Sequence, residues 1–191
     1  MARLDQFVAL LAEENERQNL IAAATLPIIW QRHIADSAQL LTHVAGNPAS
    51  WLDLGSGAGF PGIVISIMRP DWPVFLVESR RRRIDWLRAC CDILGLDHCE
   101  VLGDRLENVP GFPVSIISAR AFAPLDRLLD LSARFSTNET VWLLPKGRNA
   151  ALELADLPKK TRAMFHVEHS LTDRDAGIIV GKLAQEAKRP S

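Results

Sequence analysis

Residues 53–62 read DLGSGAGFPG, with glycine at 55, 57, 59 and 62. Glycine costs about 0.5–1 kcal/mol relative to alanine inside regular structure. A cluster this dense therefore marks a place where the backbone turns sharply or is closely approached. Its flanks narrow the use. Trp51-Leu52 is short and apolar like a buried strand, and Ile63 to Met68 reads as the buried start of a helix. Strand, glycine turn and helix make half of a nucleotide-binding βαβ unit, in which backbone N–H groups at the helix N-terminus face the ligand.

Downstream the alternation continues. Apolar runs at 74–78 (VFLVE), 99–103 (CEVLG), 114–119 (VSIISA) and 140–145 (TVWLLP) are separated by helical patterns, which implies a mostly parallel sheet covered on both faces. Residues 163–170 and 177–183 read as two more strands joined by the turn 172–175. So short a link forces them antiparallel. Upstream, Leu4, Phe7, Val8 and Leu11 repeat at helical spacing. Trp30, Ile34, Leu41 and Val44 stripe a second segment that opens near Thr25, with Pro27 in its first turn, and closes at Gly46-Asn47-Pro48. The expected organisation is a helical region over 1–47 packed on an α/β domain over 48–191. That domain is a Rossmann-like sheet of the kind used by S-adenosylmethionine (SAM) dependent methyltransferases, mostly parallel with a C-terminal antiparallel hairpin.

Composition excludes several alternatives. A chain of 191 residues with 48% hydrophobic and 24% charged residues reads as globular. No run approaches the roughly 18 apolar residues that span a bilayer, so no membrane partner is expected and the cytosol is the expected location. Cys90, Cys91 and Cys99 form no Cys-x-x-Cys pair and read as small buried apolar residues. His166 and His169, three apart on a strand, point to opposite faces, so no metal is expected. With a net charge of −1, any nucleic acid must be held by a local basic patch.

The loop itself admits two frames. From Gly57 it reads Gly-x-Gly-x-x-Gly, the dinucleotide fingerprint; from Asp53 it reads acid-x-Gly-x-Gly-x-Gly through Gly55, Gly57 and Gly59, the first motif of SAM methyltransferases. Either frame expects an acid about 20 residues on to bind ribose hydroxyls, and Glu78 serves both. A purely structural turn is the third possibility. Asp53 tilts the choice towards SAM, because a carboxylate there suits the methionine ammonium and would repel a pyrophosphate.

Beyond the loop, Asn19-Leu20-Ile21, Arg32-His33-Ile34-Ala35-Asp36-Ser37, Ser118-Ala119-Arg120-Ala121-Phe122-Ala123 and Leu144-Pro145-Lys146-Gly147 resemble, in the same order over most of the chain, the RsmG (GidB) family of bacterial 16S rRNA guanine-N7 methyltransferases. The resemblance implies a SAM-dependent enzyme with an added N-terminal helical region. Its partner would be 16S rRNA or the small ribosomal subunit particle, methylated on N7 of the guanine conventionally called G527, in the 530 loop. It also implies that Gly55, Phe60, Leu106, Glu107 and Arg120 contact SAM. The basic residue that the family places in the last hairpin has only a loose match, Arg174.

Guanine N7 carries a free lone pair, so attack on a methyl sulfonium requires positioning and no general base. Strand four ends in Ser-Ala-Arg-Ala-Phe and not in the Asn/Asp-Pro-Pro-aromatic motif of amino-directed enzymes, which favours a ring nitrogen. Arg120, at the C-terminal edge of that strand, is the candidate catalytic residue, placed to orient the methyl donor or to steady guanine O6; a surface or capping arginine is the plainer reading. Arg32 and His33 could face RNA, although an i,i+4 ion pair of Arg32 with Asp36 explains that arginine without a substrate. Arg80, Arg81, Arg82 and Arg83 open the helix after strand two and could grip phosphates, with Lys146 and Arg148 extending the patch, or form a solvated face. The tryptophans read mainly as core. Other readings of the whole chain are a small-molecule SAM methyltransferase and a non-catalytic nucleotide-binding, ribosome-associated module.

Overall fold

The computed structural model describes residues 1–183; the last eight positions of the expected 48–191 domain lie outside the described residues. Helix α1 (Ala2–Gln18) buries Leu4, Phe7 and Leu11 on one stripe and ends at Asn19 in the left-handed conformation. The second helical segment starts at Ala23, two residues before its expected start, and is irregular. A 3₁₀ turn (Ala23–Ile28) contains Pro27, a π-helical turn (Trp30–Ala35) follows, and then come the single turn α2 (Asp36–Ala38) and a 3₁₀ turn (Gln39–His43). Proline lacks the N–H that a regular ladder needs, and π turns are frequent at functional sites.

Strands β1 (Trp51–Leu54), β2 (Val74–Val77), β3 (Cys99–Leu102), β4 (Ile116–Ala119), β5 (Val141–Lys146), β6 (Phe165–His169) and β7 (Gly177–Gly181) form one seven-stranded sheet in the order β3-β2-β1-β4-β5-β7-β6. The first five are parallel, and β7 pairs antiparallel with both β5 and β6. This is the expected parallel sheet closed by an antiparallel hairpin. Helices α3 (Gly62–Met68), α4 (Arg81–Leu94), α5 (Leu125–Ser132), and α6 (Ala150–Ala155) with α7 (Lys159–Arg162) connect successive strands from β1 to β6, except that β3 reaches β4 through a 3₁₀ turn (Leu106–Asn108) in place of the expected helix.

Residues alternate across the sheet, as the period of two requires. Trp51 and Leu76 pack with Phe7, Leu11, Ile63 and Leu87 on one face; Leu52, Leu54 and Val77 pack with Leu125, Leu128 and Trp142 on the other. Helix α1 thus shares one core with α3 and α4. Because the chain runs β1-β2-β3 outward and then returns to β4 on the other side of β1, the strand order reverses between β1 and β4. Ligands in open α/β sheets bind in that crevice, outside the carboxyl ends of the strands. The glycine loop follows β1 and Arg120 follows β4, so both flank it. No helix among the described residues is long and apolar enough to cross a membrane.

Candidate active site

The glycine loop takes a path that L side chains resist. Gly55, Gly57 and Gly59 have φ of +68°, +55° and +104°, in the region that favours glycine. The N–H groups of Gly55 and Ser56 both donate to the Val77 carbonyl at 2.9 and 3.1 Å, tying the loop to the end of β2. At Gly62 a Cβ would fall 2.2 Å from Leu76 Cδ2 and 2.9 Å from Asp53 Oδ2. That glycine serves close packing of α3 on the sheet.

Asp53 corrects the sequence reading. It is fully buried, and its oxygens are taken internally: Ser118 Oγ donates to Oδ1 at 2.7 Å and the Gly62 N–H to Oδ2 at 3.2 Å. Trp51 Nε1 in turn donates to Ser118 Oγ at 2.8 Å. These contacts make the carboxylate a clamp of β1 to β4 and to the start of α3. Burial pushes its pKa from 3.8 up to about 6 against the hydrogen bonds that lower it. A raised pKa means that the folded state holds a proton the unfolded chain releases, so stability present below pH 3.8 is lost as pH rises through 6. Relative to Asp53→Asn, the wild type is therefore expected to lose up to about 3 kcal/mol of folding stability between about pH 4 and pH 6, and no more above it. Urea unfolding of both proteins across that range measures this. A difference that stays constant with pH would refute the assignment.

Glu78, just past β2, is also buried. Its Oε2 accepts from the Gly57 N–H at 3.1 Å, and its Oε1 from the N–H groups of Ser79 and Arg80, both at 2.8 Å. One carboxylate thereby joins the loop to the start of α4. After β3, Leu106 is buried, whereas the Glu107 side chain is 48% exposed and 3.8 Å from Arg127. Asp104, not Glu107, holds the 3₁₀ turn Leu106–Asn108, accepting from the Arg105 N–H and Asn108 Nδ2.

The helical head supplies the other wall. His33 stacks on Phe60, ring centroids 4.9 Å apart, and Arg120 lies 5.1 Å from the same ring. Arg120 Nη2 donates to His33 Nδ1 at 3.1 Å, and Arg120 Nη1 is 3.6 Å from Asp36 Oδ2. An arginine is always a donor, so Nδ1 is unprotonated and Nε2 carries the hydrogen, which it donates to Thr25 Oγ1 at 2.9 Å. Thr25 passes its own hydrogen to the Ala22 carbonyl at 2.7 Å. Burial first, then the cations Arg120 and Arg32, lower the His33 pKa to about 4. The imidazole is neutral near pH 7.

The C-terminal hairpin locks this head in place. Asp36 Oδ1 accepts from Gln39 Nε2 at 2.8 Å and from Thr172 Oγ1 at 2.7 Å, while Gln39 Oε1 accepts from the Leu171 N–H at 2.7 Å. Arg32 pairs with Asp173 at 3.2 Å. The expected Arg32–Asp36 pair is thus replaced by two longer-range ones, Arg32–Asp173 and Asp36–Arg120. Thr25, Gln39, Thr172 and Asp173 were not legible as site residues in the sequence, because polar residues in a helix or turn read as solvated surface until a partner is known.

Arg120, His33, Asp36, Phe122, Lys146 and Glu153 border one cavity of about 1000 Å³. Phe122 lies against the glycine loop, its ring 2.5 Å from where a Gly55 Cβ would sit. Among the expected RNA contacts, His33 is buried and the Lys146 side chain is only 9% exposed and paired with Glu153 at 2.8 Å. Neither is a free surface cation. Arg148 is 81% exposed and 3.2 Å from Asp175. Arg80, Arg81 and Arg82 are exposed and Arg83 half-buried. Arg81 pairs with Asp85, Arg82 donates to the Arg17 carbonyl, and the Arg83 guanidinium lies beside Gly57. The arginine run follows β2 and the Lys146–Arg148 segment follows β5, with β1 and β4 between. They are two flanks of the crevice and not one patch. Of the tryptophans, Trp51, Trp72, Trp86 and Trp142 are buried and Trp30 is 38% exposed. Arg174 is exposed in the hairpin turn.

The residues present suit a nucleoside cofactor. A carboxylate at the end of β2 touches a loop whose glycines bring the backbone close, and a buried apolar residue, Leu106, stands after β3. A family model described as rRNA small subunit methyltransferase G matches residues 1–176. A ribosomal RNA small subunit methyltransferase G of Erythrobacter litoralis is 56% identical over 95% of this chain and 88% of its own length, and one of Sphingopyxis alaskensis 59% identical over 94% and 77%. Among solved structures, a mutant of MtNAS in complex with S-adenosylmethionine superposes with TM-score 0.63 at 15% identity, covering 96% of this chain and 75% of that one. A SAM-dependent methyltransferase from Aquifex aeolicus gives TM-score 0.60 at 17% identity, covering 81% and 91%. These likenesses show the SAM-dependent methyltransferase fold.

Proposed function

Because the chain belongs to the rRNA small subunit methyltransferase G family, we propose that this SAM-dependent enzyme transfers methyl to N7 of a guanine in 16S rRNA, the guanine called G527 in the 530 loop. The observation that carries this reading is the Arg120–His33–Asp36 constellation, which packs on Phe60 of the glycine loop and borders a cavity of about 1000 Å³, large enough for a base.

When bound, SAM supplies an electrophilic methyl on a good leaving group. Glu78 and the loop backbone hold the nucleoside end, with Leu106 and Glu107 towards the base. Arg120, braced by Asp36 and His33 and laid over Phe60, orients the reacting groups. No side chain has to take a proton, since N7 attacks through a lone pair it already has. His33 is unsuited to act as a base, because its Nδ1 is occupied by Arg120 and its Nε2 already bears hydrogen. Arg80, Arg81 and Arg82 on one flank and Arg148 on the other lie open to RNA phosphates, which position a substrate without reading its sequence.

One experiment tests this reading: labelled methyl transfer from SAM to small-subunit particles, naked 16S rRNA and small molecules in parallel, followed by identification of the product base. Product on guanine N7 is expected, and methylation of small molecules alone would overturn the assignment. His33, in the crevice wall, and Asp53, buried behind it, titrate at about 4 and about 6, both below the assay range. The single-turnover rate is therefore expected to be nearly flat between about pH 6.5 and 8.5. A tenfold climb per pH unit would reveal an obligatory deprotonation and a different target atom. In the same assay, neutralising Arg81 and Arg82 should flatten the logarithmic salt dependence of RNA binding by roughly 0.7 per lost contact; an unchanged slope would leave the run as solvated surface.

A further inference from the structure

Lys146 is the last residue of β5, and its ammonium is nearly buried against Glu153 Oε2 at 2.8 Å. The Glu153 side chain is 34% exposed, so only the lysine is enclosed and the pair is weak evidence for stability. This pair also stands in the wall of the cavity that Arg120 borders. Its placement follows from packing. Gly177 of β7 pairs with Lys146, and a Cβ at Gly177 would fall 2.9 Å from Ala150 Cβ. The bare glycine lets α6 approach the sheet, and Glu153, three residues beyond Ala150, lies on the same helix face and meets the lysine.

We propose that the Lys146–Glu153 pair reads the O6 and N1–H edge of the target guanine and so determines which base is methylated. The inference rests on the guanine-N7 reading above. N7 must be left free for the methyl donor, so the fork onto O6 and N7 by which proteins commonly recognise guanine is closed to this enzyme. What remains is O6, an acceptor, with N1–H, a donor, beside it. The cavity wall offers the complement in the same order, an ammonium donor next to a carboxylate acceptor. Enzymes that act on a base lifted from its stack read this Watson–Crick edge. Adenine presented with its N7 to the same point would turn an amino group towards Lys146 and a lone pair towards Glu153. Both contacts are repulsive, which supplies discrimination as well as affinity. Lys146, enclosed and neutralised by Glu153, is a base reader and not a phosphate grip.

The test compares two substrates at the position the wild-type enzyme methylates: guanine, and 2-aminopurine, which keeps N7 but lacks O6 and N1–H. On guanine, Glu153→Ala is expected to lower the second-order rate constant for methylation about 10- to 100-fold, the worth of a hydrogen bond to a charged group. On 2-aminopurine the same variant should lose less than about threefold, since the contact it removes is already missing. Lys146→Met should show the same selectivity of loss. SAM affinity, measured by calorimetry, should be unchanged in both. Should Glu153→Ala not fold, Glu153→Gln keeps the size, removes the charge and should give a smaller loss still confined to guanine. Equal losses on the two bases would mean that the pair only braces α6 and would overturn this inference alone. Failure of the wild type to methylate guanine would overturn the reading of the site, and this inference with it.

Discussion

Arg120→Ala is expected to slow single-turnover methylation at saturating SAM and RNA by about 100-fold or more, the scale on which small misplacements of reacting groups act. The arginine is held from three sides, by His33 Nδ1 at 3.1 Å, Asp36 at 3.6 Å and the Phe60 ring at 5.1 Å, so it arrives preorganised. Removing it strips the wall of its central cation and frees His33 from a neighbour that lowers its pKa. The His33 titration, followed by NMR, should therefore move up from about 4. Arg120→Lys should restore only part of the rate, because an ammonium cannot reproduce the planar fork that reaches histidine and carboxylate together. A wild-type rate in Arg120→Ala once SAM is saturating would make the arginine a cofactor contact alone. An unmoved His33 titration would contradict the contact itself.

Glu78 carries the second large effect. Its two oxygens accept from three backbone N–H groups, and under the proposed function the same carboxylate would accept from the SAM ribose hydroxyls. Glu78→Ala is expected to weaken SAM binding by about 1.5–3 kcal/mol, roughly 10- to 150-fold. Some of that loss reaches the cofactor through a slackened loop. Glu78→Gln separates the two contributions: it keeps one acceptor oxygen for the loop but loses the charge-assisted grip on the ribose, so its loss should be smaller but measurable by calorimetry. Unchanged affinity in a folded Glu78→Gln protein would remove this residue from the cofactor site. Tighter binding of NAD than of SAM by the wild type would sink the cofactor assignment altogether.

The strand–glycine–helix unit around residues 53–62, the apolar runs that became β2 to β5, and the antiparallel hairpin were all legible along the chain. Each is specified by neighbours within one turn or one strand. Gly55, Gly57 and Gly59 mark left-handed φ, apolar runs mark strands, and a short link leaves two strands no topology but antiparallel. The same locality explains why the second helical segment was legible but its 3₁₀ and π turns were not. Side-chain periodicity sets which face is buried, whereas Pro27 and the contacts to the hairpin set the backbone pitch.

Partnerships were a different matter. Asp53 reads as a ligand-facing acid until Ser118, 65 positions away, takes one of its oxygens. Arg32 and Asp36 have the spacing of an ion pair, yet Arg32 reaches Asp173, 141 positions on, and Asp36 turns to Arg120. Arg120 and His33 stand 87 positions apart, and Lys146 looks like a surface cation until α6 brings Glu153 over it. Local sequence determined the elements and the loop, because covalent geometry and side-chain period act over a few residues. Only the tertiary structure decided which charges are buried and what they hold, because burial and pairing depend on which distant segments the sheet order places side by side.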